Sequence, residues 1–86
     1  MFVQQNSSIY SKKIKNKWII LEKNKKYTQE LNITANFIWE LCAHPIEIDH
    51  LIKKICSEFD IDQETATQDV ETFIQEYLKK KFLILK

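Results

Sequence analysis

The sequence predicts a small α+β domain in which a three-stranded antiparallel sheet precedes three helices. Two observations predict this order. Apolar residues of the first third stand in short alternating or β-branched runs, and those that follow Asn32 recur at helical spacing. The chain has 86 residues, enough for one domain with one small core. We therefore expect a single domain over residues 1–86, with residues 1–8 disordered.

Three strands are predicted in the first third of the chain. The predicted strands are a short run from Ile9 to Ile14 that includes Tyr10, the segment Trp18–Leu21, and the segment Lys26–Leu31. A turn is predicted at Asn24-Lys25. Because the connections are short, the three strands should form an antiparallel meander. The sequence determines the register of the third strand only to within one residue. It therefore does not decide which backbone N–H groups of this strand face outward.

Three helices follow. The first should begin at a cap provided by Asn32 or Thr34 and should end before Pro45. The second carries an apolar stripe from Ile48 to Phe59, and the third, capped by Asp62, carries the apolar stripe Ala66, Val70, Phe73, Ile74, Tyr77 and Leu78. The apolar tail Phe82–Leu85 should pack back as a strand. This order of elements is like that of a winged helix-turn-helix.

The composition excludes several kinds of active site. The chain contains no glycine, so it lacks the phosphate-binding loops and nucleophile elbows that need glycine backbone. It has no apolar run long enough to span a bilayer and no signal peptide at its N-terminus. Its two cysteines are too few for a secreted disulfide scaffold of this size. We expect a cytoplasmic protein with two reduced thiols and no membrane partner.

Metal binding and catalysis are both disfavoured. The possible ligands Cys42, His44, His50 and Cys56 match no common zinc spacing, and both cysteines lie on apolar helix faces. A cysteine nucleophile needs a base beside it, and residues two apart on a helix, such as Cys42 and His44, do not face each other. We expect no enzyme activity, no metal and no cofactor.

Charge is unevenly distributed although the net charge is only +1. Residues 1–26 carry seven lysines against Glu22, and residues 27–76 carry eleven acids against Lys53 and Lys54. Such a division predicts two surfaces of opposite sign. The basic region would favour an acidic ligand. Alternatively, Lys25 and Lys26 protect a sheet edge from aggregation.

Binding to DNA is the first alternative that the predicted fold raises. In a winged helix the third helix would read the major groove. Here that helix begins Asp62-Gln63-Glu64 and continues through Asp69 and Glu71, and carboxylates repel phosphate. We therefore expect no nucleic-acid partner, although a winged-helix DNA-binding module remains the alternative function.

The run from Leu31 to Leu41, LNITANFIWEL, resembles the LNxTAxxIWEL signature of the PqqD-like family, which is named after a protein of pyrroloquinoline quinone biosynthesis. Glu58-Phe59-Asp60, and Asp69-Val70 with Phe73-Ile74, resemble a second region of the family. The resemblance covers about residues 9–85. Two positions depart from the family pattern: the family has glycine near the position of Lys81, where this chain has Lys81-Phe82-Leu83, and Glu47 replaces a capping threonine.

The resemblance implies a free-standing recognition element for ribosomally synthesised, modified peptides. Such a peptide chaperone binds the leader segment of a precursor and presents it to a tailoring enzyme, such as a radical SAM protein or a leader peptidase. The leader adds a strand to the third β-strand and lies beside the third helix. Carried over to this sequence, the implied peptide-binding residues are Lys26, Tyr27, Thr28, Gln29, Glu30, Leu31, Asp69, Val70, Phe73 and Tyr77.

The residues alone also favour peptide binding, because the edge of a short meander is a template for another strand. We expect a monomer or a weak homodimer. A plain interaction domain is the remaining alternative.

Overall fold

The computed structural model describes residues 1–21 and 28–86. It confirms an α+β fold with a three-stranded antiparallel sheet followed by three helices, and it adds a second small sheet. The elements in chain order are β1 (Phe2–Gln5), β2 (Tyr10–Ile14), β3 (Lys17–Leu21), β4 (Thr28–Glu30), α1 (Ile33–Leu41), β5 (Ile46–Glu47), α2 (Ile48–Phe59), α3 (Gln63–Lys79) and β6 (Leu83–Leu85). No helix in the described part of the chain is long and apolar enough to cross a membrane.

The predicted meander is the sheet with strand order β2-β3-β4. Strands β2 and β3 are joined by Lys15 and Asn16, which both have positive φ, 52° and 67°. Positive φ at both central residues is the mark of a type I′ turn, whose twist matches that of a two-stranded hairpin. Within the described part of the third predicted strand, β4 covers Thr28–Glu30 and Leu31 follows it. The predicted turn at Asn24-Lys25 lies outside the described residues.

The second sheet has the order β5-β1-β6 and was not predicted. Its central strand β1 pairs antiparallel with β5 through Val3 and Ile46, and with β6 through Val3 and Leu85. The prediction of disorder over residues 1–8 is corrected by this strand, which has a neighbour on each side. The side chain of Val3 is completely buried, so β1 contributes to the core. The predicted strand at the apolar tail is confirmed as β6.

The helices begin as the sequence predicts. The Asn32 side chain accepts a hydrogen bond from the Ala35 N–H at 2.8 Å and caps α1. Asp62 caps α3 by accepting from the Thr65 N–H at 2.7 Å, and the hydrogen bonds from the side chain and backbone of Thr65 lower the pKa of the Asp62 carboxyl. Glu47 occupies the cap position of α2 without any side-chain hydrogen bond to that helix.

The core lies where the two sheets and the three helices meet. It is built around Trp39, whose ring is completely buried and whose indole N–H donates to the Ser11 hydroxyl at 3.3 Å. Ile20 of the first sheet and Leu83 of the second are also buried against the helices. One hydrophobic cluster therefore joins both sheets and the three helices, as expected for a domain of this size.

The C-terminus of α3 is closed by a Schellman motif without glycine. The Phe82 N–H donates to the Tyr77 carbonyl at 2.9 Å, and the Lys81 N–H donates to the Leu78 carbonyl at 3.0 Å. The aromatic rings of Tyr77 and Phe82 meet edge to face at 5.5 Å, which supplies the apolar contact of this motif. Lys81 occupies its left-handed position with φ of 64°. The pattern that the sequence resembles has glycine near this position, and glycine adopts a left-handed φ at lower cost than lysine does.

Replacing Lys81 by glycine is therefore expected to stabilise the domain. A side chain in the left-handed region costs about 1 kcal/mol, part of which is offset by the greater freedom of glycine in the unfolded chain. We expect a gain of roughly 0.5–1 kcal/mol, seen as a thermal midpoint raised by a few degrees. The matched control is Lys79→Gly, inside the helix, which should lower the midpoint. A midpoint lowered by Lys81→Gly would contradict this account.

Candidate functional site

Strand β4 lies at one edge of its sheet, with β3 as its neighbour. In its register, Glu30 stands opposite Ile19 and Gln29 opposite Ile20. The Leu31 N–H donates to the Trp18 carbonyl at 3.3 Å, so that pair is hydrogen-bonded. Hydrogen-bonded pairs alternate along an antiparallel ladder, so Gln29 and Ile20 form the next one.

This alternation decides which backbone groups of β4 are available. The N–H and C=O groups of Gln29 face β3, whereas those of Thr28 and Glu30 face away from it. Within the part of the chain that the structure describes, no other strand pairs with this outer edge. The outward groups of Thr28 and Glu30 can therefore receive an added strand.

A groove of about 430 Å³ begins where β4 ends. One wall consists of residues from the junction of β4 with α1 and from α1 itself, and the other wall is the face of α3 from Asp69 to Tyr77. The lining residues are Leu31, Asn32, Thr34, Ala35, Ile38, Asp69, Thr72, Phe73, Glu76 and Tyr77. Because Leu31 directly follows β4, an extended chain paired with β4 would continue into this groove.

Aromatic rings of α3 form the floor of the groove. The rings of Phe73 and Tyr77 stack with their centroids 3.9 Å apart, and only 8% and 3% of these residues are exposed. Tyr77 also contacts the buried ring of Trp39 at 6.1 Å. Burial, with a smaller contribution from the Glu76 carboxylate, raises the pKa of Tyr77 to about 12. The floor therefore belongs to the core and to the groove at the same time.

The structure brings together four of the predicted site residues and separates others from them. Leu31, Asp69, Phe73 and Tyr77 line the groove. Thr28, Gln29 and Glu30 form β4, at its entrance. Val70 does not line the groove: it shares the apolar stripe of α3 with Phe73 and Tyr77 but is completely buried in the core. Lys26 and Tyr27 lie outside the described residues.

The sequence interpretation missed most of the α1 wall and part of the α3 wall. Thr72 and Glu76 stand three and seven residues after Asp69, the spacing that puts residues on one helix face. That spacing could have identified Thr72 and Glu76 as groove residues from the sequence. Asn32 and Ala35 lie within the LNITANFIWEL run that carried the resemblance, but nothing in the run showed that they would face α3.

The four possible metal ligands Cys42, His44, His50 and Cys56 are not brought together as a group of three or more. Among the described residues, no group of three or more histidine, cysteine, aspartate and glutamate side chains is placed to hold a metal ion. Cys42 is completely buried, and this burial raises the pKa of its thiol to about 12. A thiol with such a pKa is a poor nucleophile at neutral pH.

The first half of α3 is acidic on its exposed surface. Asp62, Glu64, Asp69 and Glu71 are all exposed. In a winged helix this part of the third helix would approach the DNA backbone, where these carboxylates would repel phosphate. The exposed charge therefore disfavours the alternative of a DNA-binding module.

Comparisons with known proteins agree with this architecture. The model of the family described as PqqD, coenzyme PQQ synthesis protein D, matches residues 17–83. A solved structure described as TbiB1 in complex with the TbiA(beta) leader peptide has the same fold, with a TM-score of 0.82 and 20% sequence identity over 93% of each chain. No curated protein matches the chain in sequence. Because the family model covers well over half of the 86 residues, the chain belongs to the PqqD family.

Proposed function

We propose that this protein is a peptide chaperone for a ribosomally synthesised precursor. It binds the leader segment by strand addition to β4 and presents the precursor to a tailoring enzyme, such as a radical SAM protein or a leader peptidase. The domain spans residues 1–86, works in the cytoplasm with both thiols reduced, and performs no catalytic step itself. It acts as a monomer or a weak homodimer.

The observation that carries this proposal is the edge of β4, which no other strand of the described residues covers, next to a groove with an aromatic floor. Outward N–H and C=O groups of Thr28 and Glu30 can form a ladder with almost any sequence. The groove beyond Leu31 can then receive one or two apolar side chains over Phe73 and Tyr77. Backbone pairing supplies affinity, and the groove supplies selectivity.

Membership of the PqqD family supports the same function, because the resemblance of this sequence to that family implies a peptide-binding element. The structural neighbour TbiB1 is described in complex with a leader peptide and has this fold at 20% identity. Five residues of the run from Leu31 to Leu41 that resembles the family signature also line the groove.

Amide hydrogen exchange provides the direct test. In the free protein the outward N–H groups of Thr28 and Glu30 should exchange quickly. A bound strand should protect both, while Gln29, already paired with Ile20, should change little. The probes are synthetic peptides that cover the N-terminal parts of short reading frames next to the gene, and exchange is read residue by residue by ¹⁵N NMR.

The outcome at β4 separates strand addition from other modes of binding. Protection of Thr28 and Glu30 by one of these peptides, and by no scrambled version of it, supports the proposal. A peptide that binds tightly and shifts only resonances of the groove, with both amides unprotected, would show that the ligand does not extend the sheet.

A further inference from the structure

The wall that α3 contributes to the groove is acidic. Asp69, Thr72 and Glu76 are exposed along its rim, above the buried rings of Phe73 and Tyr77. The opposite wall, from Leu31 through α1, contributes apolar and uncharged polar residues. The groove lining in the described structure therefore contains two carboxylates and no cation.

The two carboxylates differ in their surroundings. Glu76 accepts a hydrogen bond from the Lys80 ammonium at 3.0 Å, one helical turn away. Asp69 forms no ion pair with any residue that the structure describes. Within those residues its charge has no ion-pair partner, and it lies at the end of the groove towards the start of α3. Asp69 also stands four residues before Phe73, so the two side chains are neighbours on one face of the helix.

This spacing matches that of a bound strand. Asp69 and Phe73 are separated by about 6 Å along the helix axis, at 1.5 Å per residue. Alternate side chains of an extended peptide lie on one face about 6.5–7 Å apart. A peptide that seats an apolar side chain over Phe73 therefore brings the side chain two positions away close to Asp69.

We propose that the groove selects peptides in which an apolar residue and a lysine or arginine stand two positions apart, with Asp69 recognising the cation. This selectivity rests on the proposed function, since it concerns the peptide that pairs with β4. The expectation of an acidic ligand was based on the lysines in the first third of the sequence. Those that the structure describes are Lys12, Lys13, Lys15 and Lys17, and they lie in the β2–β3 hairpin instead of the groove.

The experiment uses a displayed library of short random peptides as the probe. Binders are selected on the intact protein and retained if Thr28→Pro abolishes their binding. The retained sequences should be enriched in a basic residue two positions from an apolar one. Selection on Asp69→Lys should instead enrich glutamate or aspartate at that position.

Affinities of synthetic peptides from the library test the single residue. Asp69→Asn should weaken binding about two- to fivefold, the effect of one partly exposed ion pair, and replacing the basic residue of the peptide by glutamine should have the same effect. When the Asp69→Asn variant is measured with the glutamine-substituted peptide, the loss in affinity should be no larger than that caused by either change alone. The matched control is Glu71→Gln, which removes an exposed charge from the same helix outside the groove and should leave affinity unchanged.

The outcomes distinguish this inference from the function on which it rests. Binders that depend on β4 but show no enrichment of basic residues, or show acidic residues at that position, overturn the charge selectivity and leave strand addition intact. A selection that yields no β4-dependent binder overturns both. Equal effects of Asp69→Asn and Glu71→Gln would assign the preference to net charge and overturn the role of Asp69.

Discussion

Thr28→Pro and Glu30→Pro are expected to leave the domain folded and to abolish most peptide binding, whereas Gln29→Pro should destabilise the fold. Proline removes a backbone donor and is tolerated in a sheet where that N–H faces away from the neighbouring strand. The N–H groups of Thr28 and Glu30 face away from β3, and that of Gln29 points towards Ile20. The same substitution thus has opposite consequences at adjacent positions.

The expected sizes follow from the hydrogen bonds that are lost. At Thr28 or Glu30 one intermolecular bond is worth about 0.5–1.5 kcal/mol, and the clash of the ring with an incoming strand raises the loss in affinity to tenfold or more. At Gln29 the lost ladder bond and an unpaired carbonyl on Ile20 should cost roughly 1–3 kcal/mol of stability.

Thermal unfolding and fluorescence anisotropy with a labelled peptide measure the two effects separately. The controls Thr28→Ala, Gln29→Ala and Glu30→Ala keep the backbone donor and should retain both fold and binding. Normal affinity in folded Thr28→Pro and Glu30→Pro variants would mean that the peptide does not pair with β4.

Among the proposed variants, Tyr77→Ala is expected to lose the most stability. The Tyr77 ring stacks on Phe73, contacts Trp39, and packs against Phe82 in the motif that ends α3. Truncation of a buried aromatic side chain costs about 3–5 kcal/mol. A domain of 86 residues has roughly 4–13 kcal/mol of stability in total. The variant should therefore lose between about a quarter and all of this stability, and at the lower end of the range it should be largely unfolded at room temperature.

Urea denaturation followed by circular dichroism measures this loss. Tyr77→Phe keeps the ring and should lie within about 1.5 kcal/mol of the parent, within the range of a lost hydrogen bond. An unchanged urea midpoint for Tyr77→Ala would show that this side chain lines the groove without supporting the core. Because the ring does both, peptide binding by Tyr77→Ala should be measured only at temperatures where the variant is folded.

Local signals in the sequence predicted the helices and the first sheet well. Asn32 and Asp62 carry cap chemistry that acts over three residues, so the starts of α1 and α3 were predictable. The strand β1 was not, because Phe2–Gln5 pairs only with partners more than forty residues away. No periodicity within four residues reports such pairing.

The candidate site was predictable on one side only. The α3 stripe through Phe73 and Tyr77 follows from helical spacing, but that stripe did not distinguish the groove floor from Val70, which is purely core. The α1 wall depends on how α1 packs relative to α3, which is set by the whole core. The sequence left the register of β4 undetermined by one residue. In the structure it follows from a tertiary contact, the hydrogen bond between the Leu31 N–H and the Trp18 carbonyl.

The pairing of β1 with β6 also has a topological consequence. The Lys86 N–H donates to the Phe2 carbonyl at 2.8 Å, so the polypeptide enters and leaves the fold at neighbouring points. Domains with adjacent ends tolerate insertion into another chain and circular permutation. The domain could therefore be inserted into a surface loop of another protein through two short linkers, with β4 and the groove left exposed.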